Sequence, residues 1–244
     1  MTRIIGISGR KQSGKSTTAN FINGDILLNR GMIQSYHMDE DGKLVIKTEG
    51  EGGGFGVLDV TRKDRDFVEY AEKELWPYVK IYHFADTLKS LAVQLFDIPP
   101  RNVYGEDADK NLPLQYNWEN MPTETSKTGP MSAREFLQYF GTTIVRQINN
   151  DAWVQATVSN LRYEGSSVAL IPDVRFPNEV EAIKKAGGTV VRMERDPFND
   201  DHPCESALDR DVYDWDNFDI IIPNSVVTIK ELCNELSKHS SLWR

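Results

Sequence analysis

The chain has 244 residues, enough for one large α/β domain or two small ones with a substantial buried core. Its 39% hydrophobic and 27% charged residues are typical of a globular protein, and no apolar run approaches the ~20 residues of a membrane span. The net charge of −9 argues against a nucleic-acid polymer as partner, because phosphate contacts need a basic face.

Two further features predict a cytoplasmic location. Cys204 and Cys233 form neither a metal-binding spacing nor a disulfide framework, which is the pattern of a reducing compartment. An apolar strand begins by residue 3, so we expect no signal peptide before it.

Residues 3–17 contain the feature that predicts function most directly. An apolar run ends in the P-loop pattern G-x-x-x-x-G-K-S, and a helical pattern follows at once. Backbone N–H groups of such a loop and the N-terminus of the next helix form an anion site, and Gly9 and Gly14 allow the tight turn. We expect Lys15 to reach the β- and γ-phosphates and the Ser16 hydroxyl to ligate Mg²⁺. The motif predicts a nucleoside triphosphate as ligand.

Five short apolar segments separated by helical patterns predict an α/β fold. We expect a three-layer P-loop kinase fold, in which helices cover both faces of a five-stranded parallel sheet. Residues 1–244 are predicted to form a single domain. The predicted strands end at Ser8, Phe84, Pro172, Glu194 and Ile222. Because ligands bind outside the carboxyl ends of such strands, we expect the chemistry just after these residues.

Three segments depart from the alternation of strands and helices. Residues 36–62 predict a β-hairpin insertion, because two strand-like runs flank a glycine-rich tip. Residues 97–131 predict an excursion from the sheet on the substrate side, and residues 101–130, which are rich in Asn, Pro and Trp, are expected to be irregular. Residues 192–213 include a long, polar, acidic stretch and predict a lid that closes over the substrates.

Acidic and basic candidates follow the predicted strand ends. Asp173 comes directly after Pro172, where P-loop proteins often place a carboxylate for Mg²⁺ or its water; a structural pair with Arg175 is the alternative. Several arginines also fall near predicted helix starts or strand ends, which suits a kinase because guanidinium groups bind phosphate oxygens bidentately. They are Arg101, Arg134, Arg146, Arg175, Arg192 and Arg195.

Several stretches resemble the phage-type deoxynucleoside monophosphate kinases. Besides the P-loop they are Phe84-Ala-Asp-Thr-Leu-Lys89, Trp118-Glu-Asn-Met-Pro122, Leu137-Gln-Tyr-Phe-Gly-Thr142, Asp151-Ala-Trp-Val154, Pro172-Asp-Val-Arg-Phe-Pro-Asn-Glu179 and His202-Pro-Cys-Glu205. The resemblance runs in order from residue 3 to about 235 and leaves out residues 36–62. Its most specific part is the phrase from Asp173 to Glu179, combined with Gly141-Thr142 and Trp153.

The resemblance implies transfer of the ATP γ-phosphoryl group to a deoxynucleoside 5′-monophosphate with Mg²⁺ as cofactor. It also suggests a homodimer, and a host-cytoplasmic location if the gene is a phage's. ATP would be bound by Gly9, Gly14, Lys15, Ser16 and Thr17. The monophosphate would be surrounded by Lys11, Lys89, Arg101, Arg134, Gly141, Thr142, Trp153, Asp173, Arg175 and Glu179. The catalytic residues would be Lys15, Arg134, Asp173 and Arg175.

Two positions depart from the family pattern, and two others have plainer interpretations. The acidic residue that usually follows the Gly-Thr pair is Thr143 here, and Cys204 replaces a hydroxyl residue in the pattern His-x-Ser/Thr-Glu. Trp153 offers a stacking face for a base or is a core aromatic. Lys89 binds phosphate or only extends its stem along its helix.

Three alternatives stay open. Another small-molecule kinase, acting on dephospho-coenzyme A or a sugar, shares the P-loop and differs in the acceptor pocket. A nucleotide-driven switch or DNA-packaging motor is disfavoured, because no Asn-Lys-x-Asp segment follows a strand and the chain is acidic. A scaffold that binds nucleotide without chemistry is disfavoured by the number of arginines.

Overall fold

The computed structural model describes residues 2–48, 53–123, 126–196, 203–223 and 225–244. The strands in these ranges are β1 (Arg3–Ser8), β2 (Tyr36–Met38), β3 (Leu44–Thr48), β4 (Gly54–Val57), β5 (Val79–Ile81), β6 (Pro113–Asn117), β7 (Pro130–Ser132), β8 (Val168–Val174), β9 (Thr189–Met193) and β10 (Ile220–Ile222). The helices are α1 (Lys15–Asn29), α2 (Arg65–Glu74), α3 (Ala85–Phe96), α4 (Pro100–Tyr104), α5 (Asp107–Lys110), α6 (Ala133–Gln138), α7 (Arg146–Ile148), α8 (Ala152–Glu164), α9 (Pro177–Lys185), α10 (Pro203–Ser206) and α11 (Ile229–Ser237). No helix in these ranges combines the length and apolarity that crossing a membrane requires.

Five strands form one sheet in the order β10-β9-β1-β8-β5, and every neighbouring pair is parallel. This confirms the predicted five-stranded parallel sheet and the three-layer α/β fold. Strand β1 lies in the middle, so the segments that follow β1, β8 and β9 leave the sheet side by side at its carboxyl edge.

The two faces of β1 are covered by different helices. Ile5 and Ile7 belong to a core cluster that includes Ile22 of α1 and Leu236 of α11, all of them buried. Gly6 points to the other face, where an added Cβ would lie 2.6 Å from Cδ1 of Ile183 in α9. Alternation along the strand therefore packs α1 and α11 against one face and α9 against the other.

The third predicted core strand does not end where the sequence indicated. We expected it to stop at Pro172, but β8 continues to Val174, so Asp173 lies inside the strand. The pairing with β1 shifts here: Ile171 lies opposite Gly6, and Val174 lies opposite Ser8. A proline has no N–H for the ladder, and an irregularity at this point lets the strand continue past it. Two other ends also differ, since β5 ends at Ile81 and β9 at Met193.

The chain divides into two compact units, one of residues 1–83 with 158–244 and one of residues 84–157. The first unit contains the five-stranded sheet. The assignment of residues 1–244 to a single kinase domain stays a prediction.

The second unit corrects the expectation that residues 101–130 are irregular. This segment contains α4, α5 and β6, and β6 pairs antiparallel with β7. Rings pack beneath these elements: Phe96 makes edge contacts with Phe136 and Phe140 at centroid distances of 4.9 and 5.1 Å. The frequent proline and asparagine residues suggested loops, whereas the segment forms short helices and a strand that pack around an aromatic core.

After α6 the backbone of the second unit takes an unusual form. The helix is opened by a capping box, in which the Ser132 hydroxyl accepts from the backbone N–H of Glu135 and the Glu135 carboxylate accepts from that of Ser132. It then widens into a π-helical segment, Tyr139–Val145, that runs through Gly141 and Thr142. π-Helical turns are rare and occur frequently at functional sites.

The predicted hairpin insertion is present and is part of a three-stranded antiparallel sheet. Strands β3 and β4 form the hairpin, β2 pairs with β3, and the glycine-rich tip at residues 49–52 lies outside the described residues. A turn between β2 and β3 packs against the first turn of α1. The Asn20 side-chain amide donates to the Gly42 carbonyl at 3.0 Å, and a Cβ at Gly42 would lie 2.2 Å from Oγ1 of Thr17. The insertion is therefore fitted to the P-loop helix.

Substitution of Gly24 tests this fit, because two effects on stability have opposite signs there. In a helix interior, alanine is favoured over glycine by about 1 kcal/mol. At Gly24, however, a Cβ would lie 2.6 Å from Cδ1 of Leu44 and 2.7 Å from the Tyr36 ring. Overpacking costs about 1–3 kcal/mol, so we expect Gly24→Ala to lower the free energy of unfolding by about 1 kcal/mol, measured by urea denaturation. The loss should be smaller in a Leu44→Ala background; an equal loss there would contradict the proposed clash.

Candidate functional site

The P-loop has a backbone shape that depends on its two glycines. Gly9 and Gly14 have φ angles of +155° and +99°, a region that other residues rarely adopt. A Cβ at Gly9 would also lie 2.4 Å from Oγ of Ser13 and 2.8 Å from Cβ of Met193. The Ser13 N–H donates to the Arg10 carbonyl at 3.2 Å, so the loop contains the tight turn that the motif predicts between β1 and α1.

The Lys15 side chain folds back onto this loop. Its amine donates to the carbonyl oxygens of Gly9 and Arg10, at 2.7 and 2.5 Å. Ser16, the next residue, is exposed in the first turn of α1, and Thr17 is partly buried beside the insertion. The predicted ATP-binding residues are thus brought together at the loop and the start of α1.

The electrostatic environment lowers the pKa of Lys15 from 10.5 to about 8. Burial is the largest cause, because it disfavours the charged amine, and the positive charges of Arg175 and Arg192 act in the same direction. The carboxylates of Glu205 and Asp173 oppose the shift. Lys15, Asp173 and Arg175, three of the four predicted catalytic residues, therefore interact electrostatically within the first unit.

Glu179 has a defined role in the backbone around Arg175. Its carboxylate, 2% exposed as a residue, accepts from the backbone N–H groups of Arg175 at 2.7 Å and Phe176 at 3.1 Å. It fixes the turn from β8 into α9 and so positions Arg175 after the strand. Its predicted contact with the monophosphate stays a prediction.

Glu205 is the most important residue that the sequence reasoning left without a role. One oxygen of its carboxylate accepts from the backbone N–H of Lys11 at 2.8 Å, and the other is paired with the Arg175 guanidinium. Glu205 belongs to the stretch His202–Glu205 that resembles the family, but nothing in its local sequence indicates the partners, which lie 194 and 30 residues away. His202 and the side chain of Cys204, from the same motif, lie outside the described residues.

Asp209 forms a second bridge to the P-loop. Its carboxylate pairs with Arg10 of the loop and with Nη2 of Arg192 at 3.2 Å. Arg192 is 4% exposed; it donates to Oγ of Ser8 at 3.0 Å and lies over the Trp215 ring at 4.9 Å. Burial lowers the pKa of Arg192, and Asp209 opposes that effect. The part of the predicted lid that the structure describes near residue 209 thus contacts the loop through ion pairs, whereas residues 197–202 lie outside the described residues.

A small cavity of about 50 Å³ opens beside the loop. Gly14 and Thr17 line one side, and Arg195, Pro223 and Val226 line another. The lining therefore combines residues of the P-loop and α1 with the apolar segment that follows β10.

The second unit gathers positive side chains around α4 and α5. Arg134 donates to the Asp107 carboxylate at 2.8 Å and to the Asn111 side chain at 3.2 Å. The Lys89 amine lies 5.7 Å from the centre of the Tyr104 ring. Arg101, which is exposed, pairs with Asp109 at 2.6 Å.

Lys110 belongs to this group and was missed from the sequence. Its pKa is lowered by burial, then by the charges of Lys89 and Arg134, while Asp107 opposes the shift. Lys110 therefore lies close enough to Lys89 and Arg134, two predicted ligands of the monophosphate, to be repelled by their charges. A cluster of this kind can hold an anion.

The π-helical segment contains Gly141 and Thr142, and Trp153 is hydrogen-bonded to it. The indole N–H of Trp153 donates to the Gly141 carbonyl at 3.1 Å, and Trp153 is 5% exposed. A Cβ at Gly141 would lie 2.7 Å from Cδ2 of Leu88, so this glycine permits close packing on α3. The surroundings of Trp153 are those of a core aromatic with a satisfied N–H; its contact with a base stays a prediction.

The described residues include no group of three or more His, Cys, Asp or Glu side chains arranged to hold a metal ion. Mg²⁺ does not need such a cage, because it is commonly bound by one or two protein oxygens together with substrate phosphates and water. The exposed Ser16 hydroxyl in the first turn of α1 and the Asp173 carboxylate, whose charge acts on Lys15, are oxygen ligands of this kind. The residues present therefore fit a Mg²⁺–nucleotide complex.

Comparison with known proteins gives two matches. The sequence profile of a family described as deoxynucleotide monophosphate kinase matches residues 74–235, more than half of the chain. A protein of Acanthamoeba polyphaga mimivirus, provisionally named a deoxynucleotide monophosphate kinase, is 26% identical over 170 residues, which are 63% of this chain and 78% of the viral protein. The profile match begins after the P-loop, so the loop is identified by its own motif and geometry.

The environment of Lys15 gives a prediction that needs no substrate. We expect the Lys15 amine to titrate near pH 8 in the ligand-free protein. Arg175→Gln should raise its pKa, since a positive charge that disfavours the protonated amine is removed while Glu205 remains. Lysine-selective NMR measures the titration, with Lys15→Ala to assign the signal and the exposed Arg30→Gln as the matched control. A wild-type pKa near 10.5 would contradict the described cluster.

Proposed function

The chain belongs to the deoxynucleotide monophosphate kinase family, a family of phosphotransferases, and from this we propose that it transfers the γ-phosphoryl group of ATP to a deoxynucleoside 5′-monophosphate. The products are ADP and the deoxynucleoside diphosphate. The observation that carries the proposal is the joint position of the P-loop, Lys15 and Arg175 in one electrostatic cluster. A transferring phosphoryl group needs positively charged surroundings, because catalysis of phosphoryl transfer is mainly positioning and charge stabilisation.

The donor is assigned to the P-loop. The backbone N–H groups of the loop and the start of α1 bind the phosphates, and Lys15 turns from its carbonyl partners to the β- and γ-oxygens. Ser16 and Asp173 would hold Mg²⁺, which would supply positive charge to neutralise the phosphate oxygens.

The acceptor is assigned to the residues that the family resemblance implies. They are Lys11, Lys89, Arg101, Arg134, Gly141, Thr142, Trp153, Asp173, Arg175 and Glu179. The cluster of Lys89, Arg134 and Lys110 supports this assignment, since a monophosphate dianion relieves the mutual repulsion of the cations.

The reaction follows from these assignments. A phosphate oxygen of the acceptor attacks the γ-phosphorus, and the bond from that phosphorus to the β,γ-bridging oxygen breaks, so that ADP leaves with the electron pair. The entering and leaving oxygens are in line, as in other phosphoryl transfers. Lys15 and Arg175 neutralise the oxygens of the transferring group, and no side-chain nucleophile is required.

The central experiment is an acceptor screen with ATP and Mg²⁺. We expect ADP release to be stimulated by deoxynucleoside monophosphates, but not by dephospho-coenzyme A, a sugar or DNA. Stimulation by dephospho-coenzyme A instead would assign the chain to another class of small-molecule kinase. Release that no acceptor changes would indicate an ATPase and would contradict the proposal.

Lys15→Ala tests the donor assignment. The substitution removes the amine that stabilises charge on the transferring phosphoryl group, so we expect monophosphate-dependent ADP formation to fall about 100- to 1,000-fold. Lys73→Ala, which removes an exposed lysine of α2, is the matched control and should retain the wild-type rate. A Lys15→Ala rate within a few-fold of wild type would exclude the P-loop from the reaction.

Arg134→Ala tests the acceptor assignment in the second unit. Asp107 and Asn111 hold this side chain, and a charge-assisted hydrogen bond contributes about 1.5–3 kcal/mol, so kcat/KM for the monophosphate should fall about 10- to 100-fold. The KM for ATP should change little. The exposed Arg162→Ala is the control. If the two variants behave alike, Arg134 does not bind the acceptor.

A further inference from the structure

The Glu205 carboxylate joins two groups that the proposed function assigns to phosphate. Oε2 accepts from the backbone N–H of Lys11 in the P-loop at 2.8 Å, and Oε1 is paired with the Arg175 guanidinium. The Glu205 side chain is 7% exposed, whereas that of Arg175 is 31% exposed. The carboxylate is therefore nearly enclosed, and the guanidinium reaches toward solvent beyond it.

Burial of this carboxylate has an energetic consequence. A buried ion is strongly unfavourable unless its partners satisfy it, and here both oxygens have a charged or N–H partner. The pair is consequently a rigid contact, unlike an exposed ion pair, whose side chains move freely and contribute little.

Arg175 is also fixed at its other end. Glu179 accepts from the backbone N–H of Arg175 at 2.7 Å, so one carboxylate holds the main chain and another holds the guanidinium. Fixing both ends leaves the arginine little freedom to drift from the loop. Such freedom matters, because a displacement of about 1 Å can reduce a rate 100-fold.

We propose that Glu205 is a positioning residue that clamps the Arg175 guanidinium to the P-loop backbone, so that loop and arginine act on one phosphoryl group as a single unit. The inference rests on the proposed kinase function and adds a residue to it. Glu205 does not touch the reacting atoms in this assignment; it acts through Arg175 and the Lys11 amide.

The segment around Glu205 has anchors of its own. Leu208 is 1% exposed, its carbonyl accepts from the Trp215 indole N–H at 2.9 Å, and Asp209 pairs with Arg10 and Arg192. Removal of the Glu205 charge therefore leaves these contacts intact. An isosteric substitution at Glu205 can be interpreted as a local change.

A competing role for the same contacts makes the opposite prediction. If Glu205 instead occupied the place of a substrate phosphate and had to leave, removing its charge would strengthen nucleotide binding and would not slow transfer. A clamp behaves differently, because its loss disorders Arg175 while the ATP-binding loop and Lys15 stay in place.

The experiment compares Glu205→Gln and Glu205→Asp with wild type and with Glu69→Gln, which makes the same chemical change in an exposed pair of α2. Glu205→Gln should lower kcat for the monophosphate about 100-fold. Its Kd for Mg·AMP-PNP, measured by calorimetry, should stay within about threefold of wild type, since no ATP-binding group is removed. Glu205→Asp, whose shorter side chain cannot span both partners, should also lose turnover.

A measurement without substrate separates a clamp from a general loss of structure. Because Oε2 of Glu205 accepts from the Lys11 N–H at 2.8 Å, Glu205→Asp should speed hydrogen exchange of the Lys11 amide, while the amides of β1 and α1 keep their protection. This measurement holds even if wild type fails to phosphorylate any monophosphate, which would overturn the proposed function but not the bridge.

Two outcomes would overturn the inference. One is unchanged hydrogen exchange of the Lys11 amide in Glu205→Asp, which would show that the carboxylate does not hold the loop. The other is retained turnover together with binding of Mg·AMP-PNP that is about tenfold tighter, a gain of about 1.4 kcal/mol, which would identify Glu205 as a competing anion.

Discussion

Repulsion between positive charges at one edge of the sheet is the constraint on which the site depends. Lys15, Arg175 and Arg192 are brought together where burial removes the water that would screen them. Carboxylates of the same chain reduce this repulsion in the ligand-free protein. Glu205 lies beside Arg175, and Asp209 lies beside Arg192. Under the proposed function, an incoming phosphate would enter a field in which these carboxylates already balance part of the positive charge.

The strand order explains why these charges meet. Since β1 lies between β8 and β9, the P-loop leaves the sheet with the Asp173–Arg175 segment on one side and Arg192 on the other. Residues almost 200 positions apart in the chain become neighbours through three short parallel strands. The sheet thus brings the cations together, and the carboxylates lower the electrostatic repulsion between them.

Prediction from the sequence succeeded where the signal is local. The P-loop, the five core strands and the hairpin insertion each have a composition and spacing that one stretch of chain contains. The end of β8 was misjudged because Pro172 normally stops a buried strand, and the shifted pairing that accommodates it is a property of two strands. Glu205 and Lys110 could not be assigned, because the chain has 37 acidic residues and 28 basic ones and nothing local distinguishes a buried partner from a solvated charge.

The insertion of residues 36–62 buries one face of the P-loop helix α1. Helix α1 is buried along most of its length, with Gly24 against Leu44 and Tyr36 on the face that the insertion covers. The insertion contacts this helix through both polar and apolar groups, since Asn20 donates to the Gly42 carbonyl and the Phe21 ring meets the Tyr36 ring edge at a centroid distance of 6.0 Å. Residues on both sides of the helix are therefore fixed by packing. A change in the insertion would reach the P-loop through the position of this helix, although the insertion itself lies apart from the loop in the chain.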